Sequence, residues 1–191
     1  KNLAGTDRLI VHLRQKPELV LSALEIITQT TLRFIEAAKA TGISGIYYAV
    51  QLANFDLLSE AEYRTFGEPY DRRILEAVSD CWFNMVHLHG RDGMFDLVAA
   101  YPVHALNWHD RESGPSLGEG AQRFGSAVCG GLEHWDHLLR GDPDQIRALI
   151  QDAMQQTGHR RLIVSSGCVA PVNAPFSNLR AVRQAVEGNL S

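Results

Sequence analysis

Three short apolar runs, each followed at once by side chains that can bind a metal or a proton, decide the fold of this chain. The first is Asn84-Met-Val-His87-Leu-His89-Gly90, and the second is Ala105-Leu-Asn107-Trp108-His109-Asp110. The third, Leu162-Ile-Val-Ser-Ser-Gly167-Cys168, ends in a thiol. In a parallel α/β protein the carboxyl ends of the strands lie on one face, where the chemistry is carried out. We therefore expect the polar ends of the three runs to converge.

The same alternation of strand and helix extends outward from these runs in both directions. Apolar residues at steps of three and four predict a long helix over 17–40. Capping boxes at Ser59 and Ser116 and an N-cap at Asp142 predict three helix starts. Strands are predicted over 43–50, 83–89, 105–108, 126–129 and 162–165. Further helices are predicted over 70–80, 94–101 and 178–187.

Five strand–helix units in a row predict an α/β fold with a parallel sheet and right-handed crossovers. The length of 191 residues fits one domain. Five units are too few to close an eight-stranded barrel, which takes about 250 residues. The strand pattern alone does not decide between an open five-stranded sheet and part of a barrel. The chain starts at Lys1 rather than at Met, so we expect it to come from a longer protein.

Composition excludes several classes of function. The net charge is −4 and there is no run of Lys or Arg, which argues against a protein that binds nucleic acid through its phosphates. No apolar run reaches about 18 residues, so no membrane-spanning helix is predicted. Three cysteines without framework spacing fit a reducing compartment. We expect a cytoplasmic protein with neither nucleic acid nor membrane as partner.

The ends of the three runs suggest a metal site. His87 and His89 are two apart, so on a strand both imidazoles point to the same side, and His is a common zinc ligand. Asp110 could add a carboxylate and Cys168 a thiolate, with Gly167 allowing close backbone approach. Such a set with one open position is typical of catalytic zinc. Each residue alone also has a structural explanation, as a hydrogen-bonded His, a loop-capping Asp or a buried thiol.

Other residues are candidates for binding or catalysis. Tyr48 and Gln51, at the end of the first strand, could line a pocket and serve the reaction. Trp108 could stack on a flat cofactor, and Arg111 could bind a carboxylate in bidentate fashion. Core packing for the aromatic residues and a surface ion pair for Arg111 remain the alternatives. His134 and His137, with Glu133, could bind metal or belong to a solvated helix face.

Several stretches together resemble the uroporphyrinogen decarboxylase superfamily, and they cover nearly the whole chain in order. They are the segment 58–70, His87-Leu-His89-Gly90, Leu106-Asn107-Trp108, the segment 130–143, and the segment 167–179 with its Gly167-Cys168-Val-Ala-Pro171. The resemblance implies a TIM (β/α)8 barrel. It also implies that 1–191 is one domain corresponding to about five C-terminal βα units, with the first strands of the barrel missing.

Two branches of this superfamily differ in their site. The decarboxylases work without a metal and carry Gly-His-Gly after the last strand, where this chain reads Gly167-Cys168-Val169. The corrinoid-linked methyltransferases carry His-x-Cys-Gly after one strand and Gly-Cys after the last, and these His and Cys residues bind the zinc that activates a thiol. Here His87 matches the histidine, Cys168 matches the late cysteine, and His89 stands where the first cysteine would be.

The resemblance to the second branch implies zinc-dependent methyl transfer between a corrinoid and a small acceptor. Zinc would be held by His87, His89 and Cys168, with Asp110 as fourth ligand or base. The expected partners are a small-molecule substrate, a corrinoid protein and a second copy of the chain in a homodimer. Uroporphyrinogen decarboxylase activity in porphyrin biosynthesis is the first alternative. A catalytically inactive binding domain is the second.

Overall fold

The computed structural model describes residues 3–188 and contains one five-stranded sheet. All strands are parallel and lie side by side in chain order, so that β1 and β5 form the two edges of the sheet described. The parallel α/β prediction is therefore confirmed. The strands are β1 (Tyr47–Val50), β2 (Met85–Leu88), β3 (Ala105–Trp108), β4 (Ala127–Leu132) and β5 (Leu162–Ser166).

Helices precede, separate and follow the strands. None of those described combines the length and apolar character needed to cross a bilayer. One turn after β4, His134–Leu139, is π-helical, a geometry that often marks functional sites. The α-helices are α1 (Thr6–Gln15), α2 (Pro17–Lys39), α3 (Glu60–Phe66), α4 (Glu68–Glu76), α5 (Phe95–Ala99), α6 (Leu117–Phe124), α7 (Pro143–Gln156) and α8 (Phe176–Glu187).

The predicted helix starts are confirmed by the hydrogen bonds of their caps. The Ser59 hydroxyl accepts from the backbone N–H of Glu62 (3.2 Å), and the Glu62 carboxylate accepts from the N–H of Ser59 (2.8 Å). Ser116 forms the same reciprocal pair at the start of α6. Asp142 accepts from two N–H groups of α7. Each cap satisfies donors that a helix N-terminus leaves without partners.

Among the strand boundaries that differ from the predictions, those of β1 and β4 have local reasons. β1 begins only at Tyr47, because the N–H of Ile46 donates to the side-chain oxygen of Asn84 (3.1 Å) rather than joining a β-ladder. β4 runs past its predicted end at residue 129, because Gly130 and Gly131 continue the pairing with β5. A Cβ at Gly130 would collide with the Asp110 carboxylate, so glycine is needed there to keep strand and carboxylate together.

The two faces of the sheet have different environments. Val86, Leu106 and Val128 are fully buried on the face packed against the helices, in one continuous apolar core. Because side chains alternate along a strand, the residues between them point the other way. We call this second face the inner face; it carries His87, Asn107 and Cys129 in one row across β2, β3 and β4.

A buried carboxylate fastens the helices to the first half of the sheet. Asp71 of α4 accepts hydrogen bonds from the hydroxyls of Tyr48 (2.6 Å), Tyr101 (2.8 Å) and Tyr63. These phenols come from β1, from the end of α5 and from α3. Burial, more than any other influence, raises the pKa of Asp71 above its ordinary value. Three donors on one carboxylate tie four segments together at one point.

Candidate metal centre

The inner face delivers three histidines and one cysteine to a single point. His87, His89, His109 and Cys168 each offer a ligand atom, and all four atoms lie within 4.8 Å of one another. The convergence follows from strand geometry. His87 lies in β2 and His89 one residue beyond it, while His109 follows the end of β3 and Cys168 follows β5. Parallel strands place these ends at the same edge.

Gly167 makes the close approach of β5 to β3 possible. Its N–H donates to the carbonyl of Leu132 (2.9 Å). A Cβ there would lie 2.9 Å from the carbonyl oxygen of Trp108 and 3.0 Å from the Cα of His109, closer than real Cβ atoms normally come. The predicted role of this glycine is thus confirmed, and it brings Cys168 next to the histidines.

The spacing of the ligand atoms fits a tetrahedral metal. His87 Nε2 lies 3.4 Å from His89 Nδ1, which lies 3.8 Å from Cys168 Sγ. Zinc bonds of about 2.1 Å to nitrogen and 2.3 Å to sulfur give tetrahedral edges of roughly 3.4 Å between nitrogens and 3.6 Å between nitrogen and sulfur. The observed distances therefore need only small adjustments to hold such an ion.

Asn107 fixes which nitrogen of His87 is free. The Asn107 side-chain N–H₂ donates to the carbonyls of Cys129 (2.8 Å) and Ser166 (3.1 Å), so its oxygen must face His87. That oxygen lies 2.7 Å from His87 Nδ1 and accepts its proton. The lone pair of His87 is then on Nε2, which points at the other ligands. This arrangement is typical of metal-binding histidines.

Glu112 does the same for His109. The Glu112 carboxylate accepts a hydrogen bond from His109 Nδ1, which leaves the lone pair on Nε2. His109 Nε2 is buried and has no hydrogen-bond partner among the described residues. An unpaired buried polar atom costs about 1–3 kcal/mol, and this nitrogen is available to a cation held by the other ligand atoms of the group.

Burial also keeps His87 in the neutral form that binds metals. Desolvation, reinforced by the two nearby histidines, lowers the pKa of His87 to about 4, against the opposing effect of its bond to Asn107. The ring of Tyr47 stacks beside it, with centroids 6.1 Å apart. At neutral pH this imidazole is therefore unprotonated and shielded on one side.

Asp110, predicted from the sequence as the fourth ligand or base, lies outside the group. His109 is the fourth member instead. Both Asp110 carboxylate oxygens accept from the N–H of Gly131 (3.2 Å each), and Arg111 Nε lies 3.6 Å away. Burial raises the pKa of Asp110 to about 6. The physical reason is that side chains alternate along the chain. His109 points to the same side as Asn107, whereas Asp110 points toward β4.

Tyr48 and Trp108 are likewise not brought to the metal-capable group. Both point to the helix-packed face, one residue out of phase with the inner face. The Tyr48 hydroxyl is bound to Asp71, and Trp108 is 2% exposed, packed on Phe95 with its N–H donating to the carbonyl of Pro115 (2.8 Å). Their contacts are those of core residues, which corrects the catalytic and cofactor-binding roles predicted for them.

Arg111 and Gln51 lie in different surroundings. The Arg111 guanidinium donates to the carbonyls of Gly131 (2.8 Å) and Leu149 (3.1 Å) and pairs with Asp152 (2.6 Å), so it joins the end of β3 to α7 instead of facing a substrate. Gln51 follows β1 directly and is half-buried. Alternation places Gln51 on the side of the inner face, where its catalytic role stays a prediction.

His109 was not among the metal-capable residues predicted from the sequence, although a local pattern indicates it. His109 follows Asn107 by two residues, just as His89 follows His87, and the register sets Asn107 beside His87. The same i, i+2 argument used for the first pair therefore applies to the second run.

Comparison with known proteins gives the family of the chain. The model of the family described as "Uroporphyrinogen decarboxylase (URO-D)" matches residues 2–188. A curated relative, the uroporphyrinogen decarboxylase of Syntrophotalea carbinolica, is 29% identical over 158 residues, which cover 76% of this chain and 42% of the relative. The chain thus spans less than half the length of this relative.

A solved structure shares the fold. A methyltransferase from Methanosarcina mazei superposes with a TM-score of 0.84 at 20% identity, covering 97% of this chain and 54% of that one. At this identity the likeness concerns the fold alone. The five parallel strands and their helices are a fragment of the barrel that this family forms.

Proposed function

The chain belongs to the uroporphyrinogen decarboxylase family, and from this premise we propose that it is the C-terminal part of a zinc-dependent methyltransferase. The observation that carries the proposal is the group of His87, His89, His109 and Cys168. Three imidazoles and a thiolate suit zinc, whereas decarboxylation by this family proceeds without a metal. The proposed substrate is a small thiol, and the proposed methyl carrier is a corrinoid, supplied by a partner protein.

The residues of this chain prepare the site before any substrate arrives. Asn107 and Glu112 hold His87 and His109 with their lone pairs turned inward. His87 and His109 are 4% and 7% exposed, so little bulk water competes at the site. A zinc ion bound there would act as a Lewis acid and lower the pKa of a substrate thiol that joins as a fifth ligand or displaces one of the four protein ligands. The thiol proton would pass to solvent.

The methyl transfer itself then needs only the sulfur and the corrinoid. A corrinoid would supply the methyl group: the sulfur lone pair would form the new C–S bond, and the electron pair of the broken cobalt–carbon bond would stay on the corrinoid. The products would be a thioether and the reduced corrinoid. In the reverse direction the same bonds are exchanged, so the proposal covers transfer to or from the small acceptor.

Uroporphyrinogen decarboxylation is the second candidate, favoured by the name of the curated relative. Against it stands Gly167-Cys168-Val169, where the decarboxylase pattern has a histidine between two glycines. The two candidates differ in their need for Cys168. A decarboxylase would keep its activity when this thiol is replaced, and a zinc-dependent methyltransferase would lose it.

The test combines metal content with methyl transfer. The purified full-length protein is loaded with zinc, and its methyl transfer from methylcobalamin to small thiols is followed by the corrinoid spectrum. We expect Cys168→Ser to reduce both zinc affinity and the transfer rate at least tenfold. Cys81→Ser, which alters a half-buried cysteine outside the group, is the matched control. Equal zinc binding and activity in the two variants would refute the proposal.

A further inference from the structure

A second cluster of metal-capable side chains lies on the far side of His109. It contains His109, Glu112 and His134, whose ligand atoms all lie within 4.8 Å of one another. Glu133 adjoins it, with one carboxylate oxygen 3.2 Å from His134 Nδ1. None of these residues except His109 belongs to the first group. From the sequence, His134 and Glu133 could either bind a metal or lie on a solvated helix face.

The burial of Glu133 and His134 rules out a solvated helix face. Glu133 and His134 are 8% and 9% exposed, and both lie where β4 passes into the π-helical turn. His134 Nδ1 is buried and makes no hydrogen bond among the described residues, although the carboxylate oxygens of Glu133 and Glu112 lie 3.2 and 3.8 Å from it. A nitrogen aimed between two carboxylates without bonding to either marks a position where a further atom fits.

The carboxylates of Glu112 and Glu133 also face each other. They interact side chain to side chain, with Glu133 buried and Glu112 on the more exposed side of the pair. Two adjacent carboxylates repel each other when both are ionised, unless a cation or a shared proton lies between them.

We propose that Glu112, Glu133 and His134 form a second site for a divalent transition-metal ion, next to the His87–Cys168 group. One nitrogen and two carboxylate oxygens suit zinc, manganese, iron or cobalt. Metal–ligand bonds of about 2.1 Å give edges of about 3.0 Å in octahedral and 3.4 Å in tetrahedral geometry. The observed 3.2 and 3.8 Å lie close to these values.

Access to this site is separate from the inner face. A cavity of about 790 Å³ opens beside Glu112 and Glu133 and is bordered by Arg91, Arg111 and Trp135. Because Glu112 and Glu133 line this cavity, an ion can reach them from this side, and water from the cavity completes its shell.

Glu112 connects the two sites. One of its oxygens accepts from His109 Nδ1, and the other faces His134. The carboxylate that orients a ligand of the first site is thus itself a ligand of the second. Filling the second site therefore fixes Glu112 in place and, through it, the orientation of His109.

The experiment counts zinc ions bound per chain. Metal-free full-length protein is titrated with zinc by calorimetry and analysed by plasma mass spectrometry after desalting. We expect two ions per wild-type chain and one per chain in Cys168→Ser. We also expect one in the double variant Glu133→Gln, His134→Asn, which removes the carboxylate charge and the imidazole while keeping both side chains polar. His12→Asn, an exposed histidine on α1, is the matched control and should retain two.

Cobalt substitution identifies which site is filled. Cobalt bound by Cys168 gives a thiolate-to-metal charge-transfer absorption, whereas the proposed site has no sulfur and gives only ligand-field bands. We expect the Glu133/His134 variant to keep the charge-transfer absorption and Cys168→Ser to keep the ligand-field bands.

One ion per wild-type chain, lost in Cys168→Ser but not in the Glu133/His134 variant, would overturn the second site and leave the first intact. One ion with the reverse pattern would uphold the second site and overturn the first. No bound zinc in any variant would overturn both, and the Glu112–Glu133 contact would then be one that holds a proton.

Discussion

Replacing Asn107 with Ala tests whether the orientation of His87 matters for metal binding. Asn107 accepts the Nδ1 proton of His87 and donates to the carbonyls of Cys129 and Ser166. Without it, His87 can carry its proton on Nε2, which would then be unable to bind a metal. Partners of this kind typically contribute 10- to 100-fold in metal affinity, which corresponds to about 1.4–2.7 kcal/mol.

The same substitution has a separate cost in stability. It removes three buried hydrogen bonds, each with a net contribution of about 1 kcal/mol, so the free energy of unfolding should fall by about 3 kcal/mol. For a chain of this size that is a decrease of roughly 6–12 °C in Tm. Metal-free protein should show this loss as well, because the bonds to Cys129 and Ser166 do not involve the metal.

Asn107→Asp separates the two effects. Its carboxylate can still accept from His87 Nδ1, so zinc affinity should stay within about threefold of wild type. Its second oxygen faces the carbonyls of Cys129 and Ser166 without a proton to donate, so stability should fall at least as much as in the Ala variant.

Zinc affinity is measured by competition with a chromophoric chelator, and stability by urea unfolding of the metal-free protein. We expect the Ala variant to lose both zinc affinity and stability, and the Asp variant to lose stability alone. Equal zinc affinity in wild type and Asn107→Ala would refute the role assigned to this hydrogen bond. A parallel loss of affinity in both variants would show that Asn107 acts only by supporting the fold.

Three further predictions concern the fold around the site. Tyr63→Phe removes one of three donors to Asp71 and should lower the free energy of unfolding by about 1–2 kcal/mol in urea titrations, without changing zinc affinity. Because burial raises the pKa of Asp71 above 3.8, the folded state holds a proton more tightly than the unfolded state. The stability of wild type relative to Asp71→Asn should therefore decline as the pH rises from about 4 through the folded pKa; a constant difference between the two unfolding curves would contradict this. Gly120→Ala would place a Cβ 2.5 Å from the Trp108 ring, so the free energy of unfolding should fall by about 1–3 kcal/mol. Gly125→Ser is the comparison: there is open space around this glycine, so the variant should show no steric clash but only the cost of its left-handed φ of 77°.

Much of the architecture could be predicted from local sequence. The caps at Ser59, Ser116 and Asp142 act within three residues of themselves, so their effect is readable from spacing alone. The alternation of five apolar runs with helical segments predicted the parallel sheet, and the resemblance supplied the barrel. The ends of strands are harder to predict where a side chain distant in the sequence binds the backbone, as Asn84 accepts from the N–H of Ile46.

Strand periodicity predicts those residues of the site that lie at the ends of strands. His87 and His89 converge with Cys168 as expected, because all three lie at strand ends. Asp110 does not join them, because the N–H of Gly131, 21 residues away along the chain, binds its carboxylate instead. No spacing rule within one segment could anticipate that partner.

Tyr48 and Trp108 show a related limit. Which face a strand residue occupies depends on the register between strands, and a shift of one residue would exchange the faces. The register that sets Asn107 beside His87 also turns Trp108 toward the helices. The sequence of either strand alone does not contain this information.

The order of the strands in the sheet has a consequence for the timing of biosynthesis. Each strand pairs with the one translated just before it, so β1 to β4 can assemble in turn while the chain is still being made. Cys168, however, follows β5, the last strand of the series. The three histidines can therefore come together while the thiol is still in the ribosome, and only the docking of the final strand converts an all-nitrogen group into one with sulfur. An ion captured too early would meet a different ligand set from the one that the finished protein presents.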